Sequence, residues 1–217
     1  MNGLFTDRAA AGRILARHLQ AYAGRDDVVV LALPHGGVPV AWEVARALGA
    51  ELDLLIVRKL GVPHQPELTM SAIAGGGAMY VNQQIVASSC MSLQQQEGAI
   101  ATGSREPARR EVLYRGTREP ARIEGRAVIV VDDGVATGAT MRAALMALRS
   151  AKPAWIVVAV PVAPSGAQDL IGTAADEFVC VLSPPDFRSV GQYYRDFDQI
   201  SDEQVRELLV HAVPRCK

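Results

Sequence analysis

Five short runs of apolar residues, many of them β-branched, recur along the chain with loops and helical patterns between them. The runs are Val28 to Leu33, Leu52 to Val57, Val128 to Val131, Ile156 to Val160 and Phe178 to Leu182. A continuous apolar run predicts a strand that is buried on both faces, as the strands of parallel sheets are. We therefore predict an α/β fold with a doubly wound parallel β-sheet of about five strands, flanked by helices.

Apolar residues at helical spacing fill most intervals between these runs. Thr6 is expected to cap a first helix, and Pro39 fits the first turn of a second one. A third helical pattern begins at Met141. Near the end of the chain, Ser201 and Gln204 form a capping box that predicts the start of a terminal helix.

Two stretches do not follow this alternation. Residues 67–90 carry short apolar pieces around three consecutive glycines, which predicts a hairpin that forms a small hood outside the main sheet. Residues 91–125 are polar and rich in arginine, and the pentapeptide REPAR occurs there twice. We expect a partly helical, mobile insert within a single domain that spans residues 1–217.

The composition is that of an ordinary globular enzyme, with 49% apolar residues, 21% charged residues and a formal net charge of −1. The near-neutral charge excludes a global basic field that would attract nucleic acid or an anionic membrane surface. The chain has no apolar run of about 18 residues and no secretory type of apolar segment near residue 1. We expect a cytoplasmic protein without nucleic-acid or membrane partners.

Cysteines and histidines are too few and too scattered to predict a metal site. The three cysteines, an odd number, match neither a zinc-binding spacing nor a disulfide framework, which favours a reducing compartment. The four histidines show no paired ligand spacing. A transition metal bound directly by protein side chains is therefore not expected.

The segment VIVVDDGVATGAT, residues 128–140, carries the main chemical signal of the sequence. Its strand delivers two carboxylates, Asp132 and Asp133, to the carboxyl edge of the sheet, where open α/β sheets bind ligands. The loop that follows leads into a helix, whose free N–H groups and positive dipole end favour a phosphate. This candidate phosphate loop consists of Gly134, Val135, Ala136, Thr137, Gly138, Ala139 and Thr140. Carboxylates accept hydrogen bonds from vicinal sugar hydroxyls, so the arrangement predicts a sugar phosphate as ligand.

Two common nucleotide-binding motifs are absent from this segment. It lacks the GxxxxGK[ST] pattern of nucleoside-triphosphate sites and the GxGxxG turn of dinucleotide sites. One alternative is an acidic turn that merely caps a helix. Another is an aspartyl phosphoacceptor or phosphatase, because two acids end a strand, but that function leaves residues 134–140 without a role.

Asp132 to Thr140 resembles the phosphoribosyl-pyrophosphate loop of type I phosphoribosyltransferases. The motifs LALPHGGVPVAWEVA, LLIVRKLGVPHQPE and PPDFRSVGQYYRDF are similar, in order, to a largely uncharacterised bacterial branch of that superfamily. The resemblance implies transfer of phosphoribose from phosphoribosyl pyrophosphate to a small, nucleobase-like nitrogen acceptor, with Mg²⁺ as cofactor. Asp132 and Asp133 would orient the ribose as catalytic residues and would hold Mg²⁺ only through water. Since many relatives are dimers, the resemblance also implies that the chain can form a homodimer.

The same resemblance assigns a pyrophosphate site to the turn after the first strand. This turn is Pro34, His35, Gly36 and Gly37, and its successive glycines can form a nest of N–H groups. Relatives commonly carry Arg or Lys where this chain has His35, a residue type whose charge is conditional near neutral pH. Arg58 and Lys59, which end the second predicted strand, would meet the pyrophosphate charge, and Arg58 is a further catalytic candidate. The alternatives are an ordinary glycine-rich turn and a solvated basic pair.

A segment near the end of the sequence contains the candidate residues for the acceptor pocket. PPDFRSVGQYYRDF resembles the segment that packs on the nucleobase in purine phosphoribosyltransferases, which makes Phe187 and Tyr193 candidate acceptor-pocket residues. Both also fit the hydrophobic core. Ala136 stands where 6-oxopurine enzymes carry an acid, and uracil-type relatives share Ala-Thr-Gly there, so hypoxanthine or guanine is disfavoured as acceptor.

Two further alternatives concern the insert and the type of function. Arg109, Arg110 and Arg115 could close over the substrate, but nearby glutamates favour a salt-bridged, exposed helix. Because His35 replaces a permanent charge, the chain could also be a regulator that binds the same ligand without catalysing transfer. Weak turnover despite tight binding, or an absent acceptor pocket, would favour the regulator.

Overall fold

The computed structural model describes residues 5–62, 65–74, 79–81, 112–116 and 118–212. Its strands, in chain order, are β1 (Val28–Ala32), β2 (Glu51–Leu54), β3 (Val57–Val62), β4 (Gln65–Ala74), β5 (Met79–Val81), β6 (Ala127–Val131), β7 (Trp155–Val162) and β8 (Glu177–Leu182). Five of them form a parallel sheet in the order β2-β1-β6-β7-β8. The predicted doubly wound parallel sheet is thereby confirmed.

Helices cover both faces of this sheet. They are α1 (Arg8–His18), α2 (Gly37–Leu48), α3 (Ala139–Arg149), α4 (Ala167–Ile171) and α5 (Asp202–Val210). One core layer packs between the sheet and α1, α2 and α5, and a second packs between the sheet and α3 and α4. β1 and β6 are buried at every position, which explains why their sequences are continuous apolar runs rather than alternating ones. In the part of the chain described, no helix is both long and apolar enough to cross a membrane.

A separate antiparallel sheet has the order β3-β4-β5 and contacts α3. The prediction of a single strand from Leu52 to Val57 was wrong, because β2 ends and β3 begins within this run. Leu55 and Ile56, between the two strands, are only 3% and 2% exposed, so the apolar pattern continues through the connection and hides the end of β2. The sheet that corresponds to the predicted hood at 67–90 therefore begins earlier, and its last predicted residues lie outside the described part of the chain.

The helix caps confirm one prediction and correct another. Ser201 caps α5 in a reciprocal capping box with Gln204, as expected. The cap of α1 is Asp7 and not Thr6, because the Asp7 carboxylate accepts a hydrogen bond from the Ala10 N–H at 2.6 Å. Asp is a stronger N-cap than Thr, and the sequence offers both residues in succession.

Within the predicted insert, the described residues 112–116 and 118–121 are tied to the edge strand β2. Asp53, which is 2% exposed, accepts a hydrogen bond from Arg115 Nε at 2.9 Å and from two backbone N–H groups at 2.8 Å. Two further arginine bonds reach carbonyl oxygens of β2. Arg115 ends a helical turn over residues 112–115, but its side chain is half of a buried ion pair and is not exposed as expected, whereas Arg109 and Arg110 lie outside the described residues.

The strand order reverses between β1 and β6, which are neighbours in the sheet. A doubly wound sheet opens a crevice at such a point, outside the carboxyl ends of the strands. The turn after β1 and the loop after β6 both lie at this edge. The two candidate anion-binding loops of the sequence therefore occupy the position where a ligand of this fold class is expected.

Candidate active site at the carboxyl edge of the sheet

The turn after β1 packs directly on the acid pair that follows β6. A Cβ atom at Gly37 would lie 2.7 Å from Val131 O and 2.9 Å from Asp132 Cα. One at Gly36 would overlap the carboxylate of Asp133. A side chain at either position would push the turn away from the acids, so this close approach requires glycine. The structure thus brings the two predicted loops together, while their contacts with a ligand stay predictions.

Asp133 is held from two sides. Its Oδ2 accepts a hydrogen bond from Arg8 Nε at 2.8 Å, and its backbone oxygen accepts one from the Tyr194 hydroxyl at 2.6 Å. Asp132 Oδ1 accepts a hydrogen bond from the Asp133 N–H at 2.8 Å. These bonds give both carboxylates a defined orientation at the mouth of the crevice.

Arg8 reaches this site from the first turn of α1. Its Nη1 donates to Asp198 O at 2.8 Å, and its guanidinium lies 3.9 Å from the centroid of the Phe197 ring. Arg8, Tyr194 and Phe197 were not predicted from the sequence as part of the site. One signal was present for Arg8, because a cation in the first turn opposes the helix dipole and indicates a partner elsewhere.

Burial is the main influence on the protonation of the acid pair. It raises the pKa of Asp132 well above the ordinary value, and the negative charge of Asp133 raises that pKa further. Burial also raises the pKa of Asp133, although the hydrogen bond and charge of Arg8 act in the opposite direction. Two neighbouring carboxylates of this kind favour a partner that donates hydrogen bonds or carries positive charge.

The phosphate loop connects the acid pair to α3. Gly134 packs tightly on the Val190 side chain, and Gly138, with φ of 70°, takes the left-handed conformation that glycine favours just before α3 begins. The residues at the start of the 11-residue helix and just before it are largely exposed, among them Ala136, Thr137, Ala139 and Thr140. A positive helix end with two hydroxyl groups therefore faces the solvent beside the acids, which suits a phosphate.

The ring of His35 connects the glycine turn to two other segments. Its Nε2 lies 2.9 Å from Asp202 Oδ1 and 3.0 Å from the Tyr114 hydroxyl, which itself donates to Asp202 at 2.5 Å. The predicted role of His35 at pyrophosphate is not tested by these contacts, but they occupy one ring nitrogen. Arg58 and Lys59 lie in β3 of the second sheet, and their predicted roles are likewise untested.

Phe187 and Tyr193 lie in the segment after β8, where the sequence placed the acceptor. Their rings stack with a centroid distance of 5.7 Å and an angle of 9° between the planes. They pack beside a small core cluster that contains Phe5 and Tyr194. The Tyr193 hydroxyl oxygen is buried and has no hydrogen-bond partner within the described residues. The pair thus combines a core position with one unsatisfied polar atom, and its contact with an acceptor stays a prediction.

The acid pair is also the candidate position for a cation. The described ranges contain no group of three or more His, Cys, Asp or Glu side chains arranged to hold a metal ion. Mg²⁺ commonly binds through one or two carboxylates and completes its shell with water and substrate phosphate oxygens. Asp132 and Asp133 place two carboxylates beside the phosphate loop, where they would bind such an ion through its water shell.

The family model of the phosphoribosyl transferase domain matches residues 7–197, a segment that includes both loops, the acid pair and Arg8. The chain belongs to the phosphoribosyltransferase family. The crystal structure of TT1426 from Thermus thermophilus is similar, with 41% sequence identity, a TM-score of 0.87, and coverage of 97% of this chain and 100% of that one. The resemblance to type I phosphoribosyltransferases is confirmed.

Two curated relatives of the chain come from Mycobacterium tuberculosis. They are named "Putative phosphoribosyl transferase MT0597", from strain CDC 1551 / Oshkosh, and "Putative phosphoribosyl transferase Rv0571c", from strain ATCC 25618 / H37Rv. Each is 43% identical over 209 residues, which cover 96% of this chain and 47% of the relative. The chain therefore spans about half the length of the curated relatives it matches.

Proposed function

We propose that this phosphoribosyltransferase transfers the phosphoribosyl group of phosphoribosyl pyrophosphate to a nitrogen atom of a nucleobase-like acceptor and releases pyrophosphate. The observation that supports this proposal most directly is the packing of the glycine turn on the acid pair beside the phosphate loop. This arrangement supplies two anion-binding elements with acceptor oxygens between them. Phosphoribosyl pyrophosphate has the matching order of groups: a phosphate, a ribose diol and a pyrophosphate.

In the proposed complex each element binds one part of the ligand. Backbone N–H groups and hydroxyls of residues 134–140 hold the 5-phosphate at the positive end of α3. Asp132 and Asp133 accept hydrogen bonds from the ribose hydroxyls. The turn from Pro34 to Gly37 receives the pyrophosphate, and Arg58 and Lys59 contribute positive charge for the same group.

The reaction is a displacement at the anomeric carbon. A bond forms from the acceptor nitrogen to that carbon while the carbon–oxygen bond to pyrophosphate breaks, and both electrons of that bond leave with pyrophosphate. The acceptor nitrogen then loses its proton. Positioning and charge stabilisation carry such a reaction through its oxocarbenium-like state, so no strong general base is required of the protein.

Mg²⁺ fits the proposed site, because the acid pair offers two carboxylates and the ligand offers phosphate oxygens. When bound, Mg²⁺ would neutralise charge on the leaving pyrophosphate. Asp132 and Asp133 would hold it through water. In the same site, the rings of Phe187 and Tyr193 would contact the acceptor.

A calorimetric titration with phosphoribosyl pyrophosphate and Mg²⁺ tests the ligand. We expect saturable binding by the wild type and its loss in Asp132→Asn/Asp133→Asn. Asp27→Asn is the matched control, because it changes an exposed aspartate that pairs with Arg25 far from the crevice. No binding by the folded wild type would refute the proposed function.

One observation keeps the regulator as a second candidate. His35 Nε2 is engaged by Asp202 and Tyr114, so the turn presents less charge to pyrophosphate than a free basic side chain would. An assay of pyrophosphate release with a panel of nucleobases separates the two functions. Release above the rate of hydrolysis without acceptor supports the transferase, whereas tight binding without release for any base supports the regulator.

A further inference from the structure

We propose that Arg8 is a positioning residue of this site, which fixes the orientation of Asp133 and offsets its charge so that an anionic sugar phosphate can bind beside it. The inference rests on the proposed function, because that function assigns the acid pair to the ribose. It goes beyond that function because it gives α1 a part in ligand recognition, although α1 is distant in sequence from the phosphate loop.

Three contacts fix the guanidinium of Arg8. Nε donates to Asp133 Oδ2 at 2.8 Å, Nη1 donates to Asp198 O at 2.8 Å, and the Phe197 ring lies over the group at 3.9 Å. The side chain is only 9% exposed. A planar group with several donors can satisfy all these partners together, whereas an ammonium group on a flexible chain cannot. The orientation of Asp133 is therefore determined by Arg8 on one side and by its own backbone bond to Tyr194 on the other.

The contact with Arg8 also divides the two oxygens of Asp133 between different partners. Arg8 takes Oδ2, which leaves Oδ1 as the oxygen assigned to a ribose hydroxyl. If Asp133 rotated, the directions of both oxygens would change together. A charge-assisted bond of normal length resists this rotation more strongly than a neutral one.

Charge supports the same role. Phosphoribosyl pyrophosphate is a polyanion, and Asp132 and Asp133 present carboxylates close to the groups that would bind it. Arg8 is the cation whose charge opposes the effect of burial on both acids. Without this positive charge, the acid pair would repel the ligand more strongly, because charges in a partly buried crevice are weakly screened.

A role in folding alone explains Arg8 less well. Its position in the first turn of α1 opposes the helix dipole, and burial of a guanidinium is costly unless the charge is paired. An apolar side chain would serve the packing of α1 more simply. The buried cation is accounted for if its purpose is to hold a carboxylate that must itself stay at the crevice.

The test is a double-mutant cycle on ligand affinity. Phosphoribosyl pyrophosphate with Mg²⁺ is titrated into the wild type, Arg8→Gln, Asp133→Asn and the double variant, up to millimolar dissociation constants. Arg8→Gln is expected to weaken binding by about tenfold to a hundredfold, since it removes a charge-assisted hydrogen bond. If Arg8 acts through Asp133, the double variant should bind within about twofold of Asp133→Asn, because the two losses are not additive.

Three further variants complete the test. Arg13→Gln is the matched control, because Arg13 lies on the same helix, pairs with Glu43 at 2.7 Å and is half exposed. The affinity of this variant for phosphoribosyl pyrophosphate should stay within about twofold of the wild-type value. Arg8→Lys keeps the charge but cannot reach both oxygen partners, so it should restore only part of the affinity. Phe197→Leu leaves Arg8 in place and removes the ring above it, and a smaller loss of affinity is expected.

The outcomes separate this inference from the proposed function. Wild-type binding together with unchanged affinity in Arg8→Gln, or additive losses in the cycle, would overturn the role of Arg8 and leave the ligand assignment intact. Absence of binding by the wild type would overturn both. If Arg8→Gln does not fold, Arg8→Lys decides, because wild-type affinity in that folded variant would refute the positioning role.

Discussion

Replacement of Asp53 by alanine should destabilise the fold far more than loss of an exposed ion pair. Asp53 is 2% exposed and accepts three hydrogen bonds, from Arg115 Nε at 2.9 Å and from the backbone N–H groups of Leu54 and Ala121 at 2.8 Å. The Arg115 side chain is 8% exposed. Asp53→Ala therefore removes the carboxylate and leaves a guanidinium with reduced access to water.

The expected cost follows from the loss of this buried carboxylate, to which Arg115 and two backbone N–H groups donate. Breaking one side of a buried ion pair costs about 3–5 kcal/mol, which is a large fraction of a typical stability of about 5–15 kcal/mol. For a domain of this size, each kcal/mol lowers the midpoint of thermal unfolding by about 2–4 °C. Asp53→Ala should thus lower the midpoint by roughly 6–20 °C. Asp53→Asn keeps one acceptor oxygen and the side-chain volume, so its loss should be smaller.

Urea unfolding followed by circular dichroism measures the effect. Asp27→Ala is the control, because Arg25 and Asp27 form an exposed pair with a comparable closest distance of 2.7 Å, and such pairs contribute less than about 1 kcal/mol. A loss in Asp53→Ala no greater than that in Asp27→Ala would refute the reasoning, since the two pairs differ chiefly in burial. Such a result would mean that Arg115 and Ala121 are not anchored to β2 in solution.

The acid pair, a buried tyrosine and the glycine turn give three more expected outcomes. Asp132→Asn should raise the unfolding temperature at pH 7, measured by scanning calorimetry, while abolishing ligand binding. Because the pKa of Asp132 is raised in the folded state, ionisation of Asp132 makes the fold less stable as pH rises above about 4, and asparagine removes that penalty. The Tyr22 hydroxyl donates a hydrogen bond to Glu177, and burial raises the pKa of Tyr22 to about 12. At pH values below 10, Tyr22→Phe should therefore lower the midpoint of thermal unfolding, and the difference from the wild type should shrink between pH 10 and about 12. Gly37→Ala should destabilise by about 1–3 kcal/mol in urea and weaken binding of phosphoribosyl pyrophosphate, and wild-type affinity would show that the close approach of the turn is dispensable.

The main sheet could be predicted from the sequence because its signal is local. β1 and β6 are buried at every position, so each is a continuous apolar run that any window of the sequence reveals. The loop after β6 was equally visible, since the acids, the glycines and the following helix are contiguous. The end of β2 was missed for the same physical reason: Leu55 and Ile56 are buried although they lie between strands, and the pattern reports burial rather than hydrogen bonding.

The partners of the acid pair could not be predicted, because they are distant in sequence. Arg8 contacts Asp133 across 125 residues, and Tyr194 contacts it across 61. No periodicity or short motif connects such positions. The buried pair of Asp53 and Arg115 is a similar case, since 62 residues separate the two side chains.

The two ends of the matched family segment meet at the acid pair, which makes the site a property of the whole domain. That segment begins at Asp7, the cap of α1, and ends at Phe197, whose ring lies over Arg8. Backbone hydrogen bonds join Phe5 to Tyr193 and Arg195 at 2.8 and 2.9 Å, so α1 and the segment after β8 are fixed together where they approach Asp133. A ligand that binds the acid pair therefore draws on groups that are assembled only when these segments have both folded. Because a ligand that binds only the native state stabilises it, saturating ligand should raise the stability of the contact between these two segments.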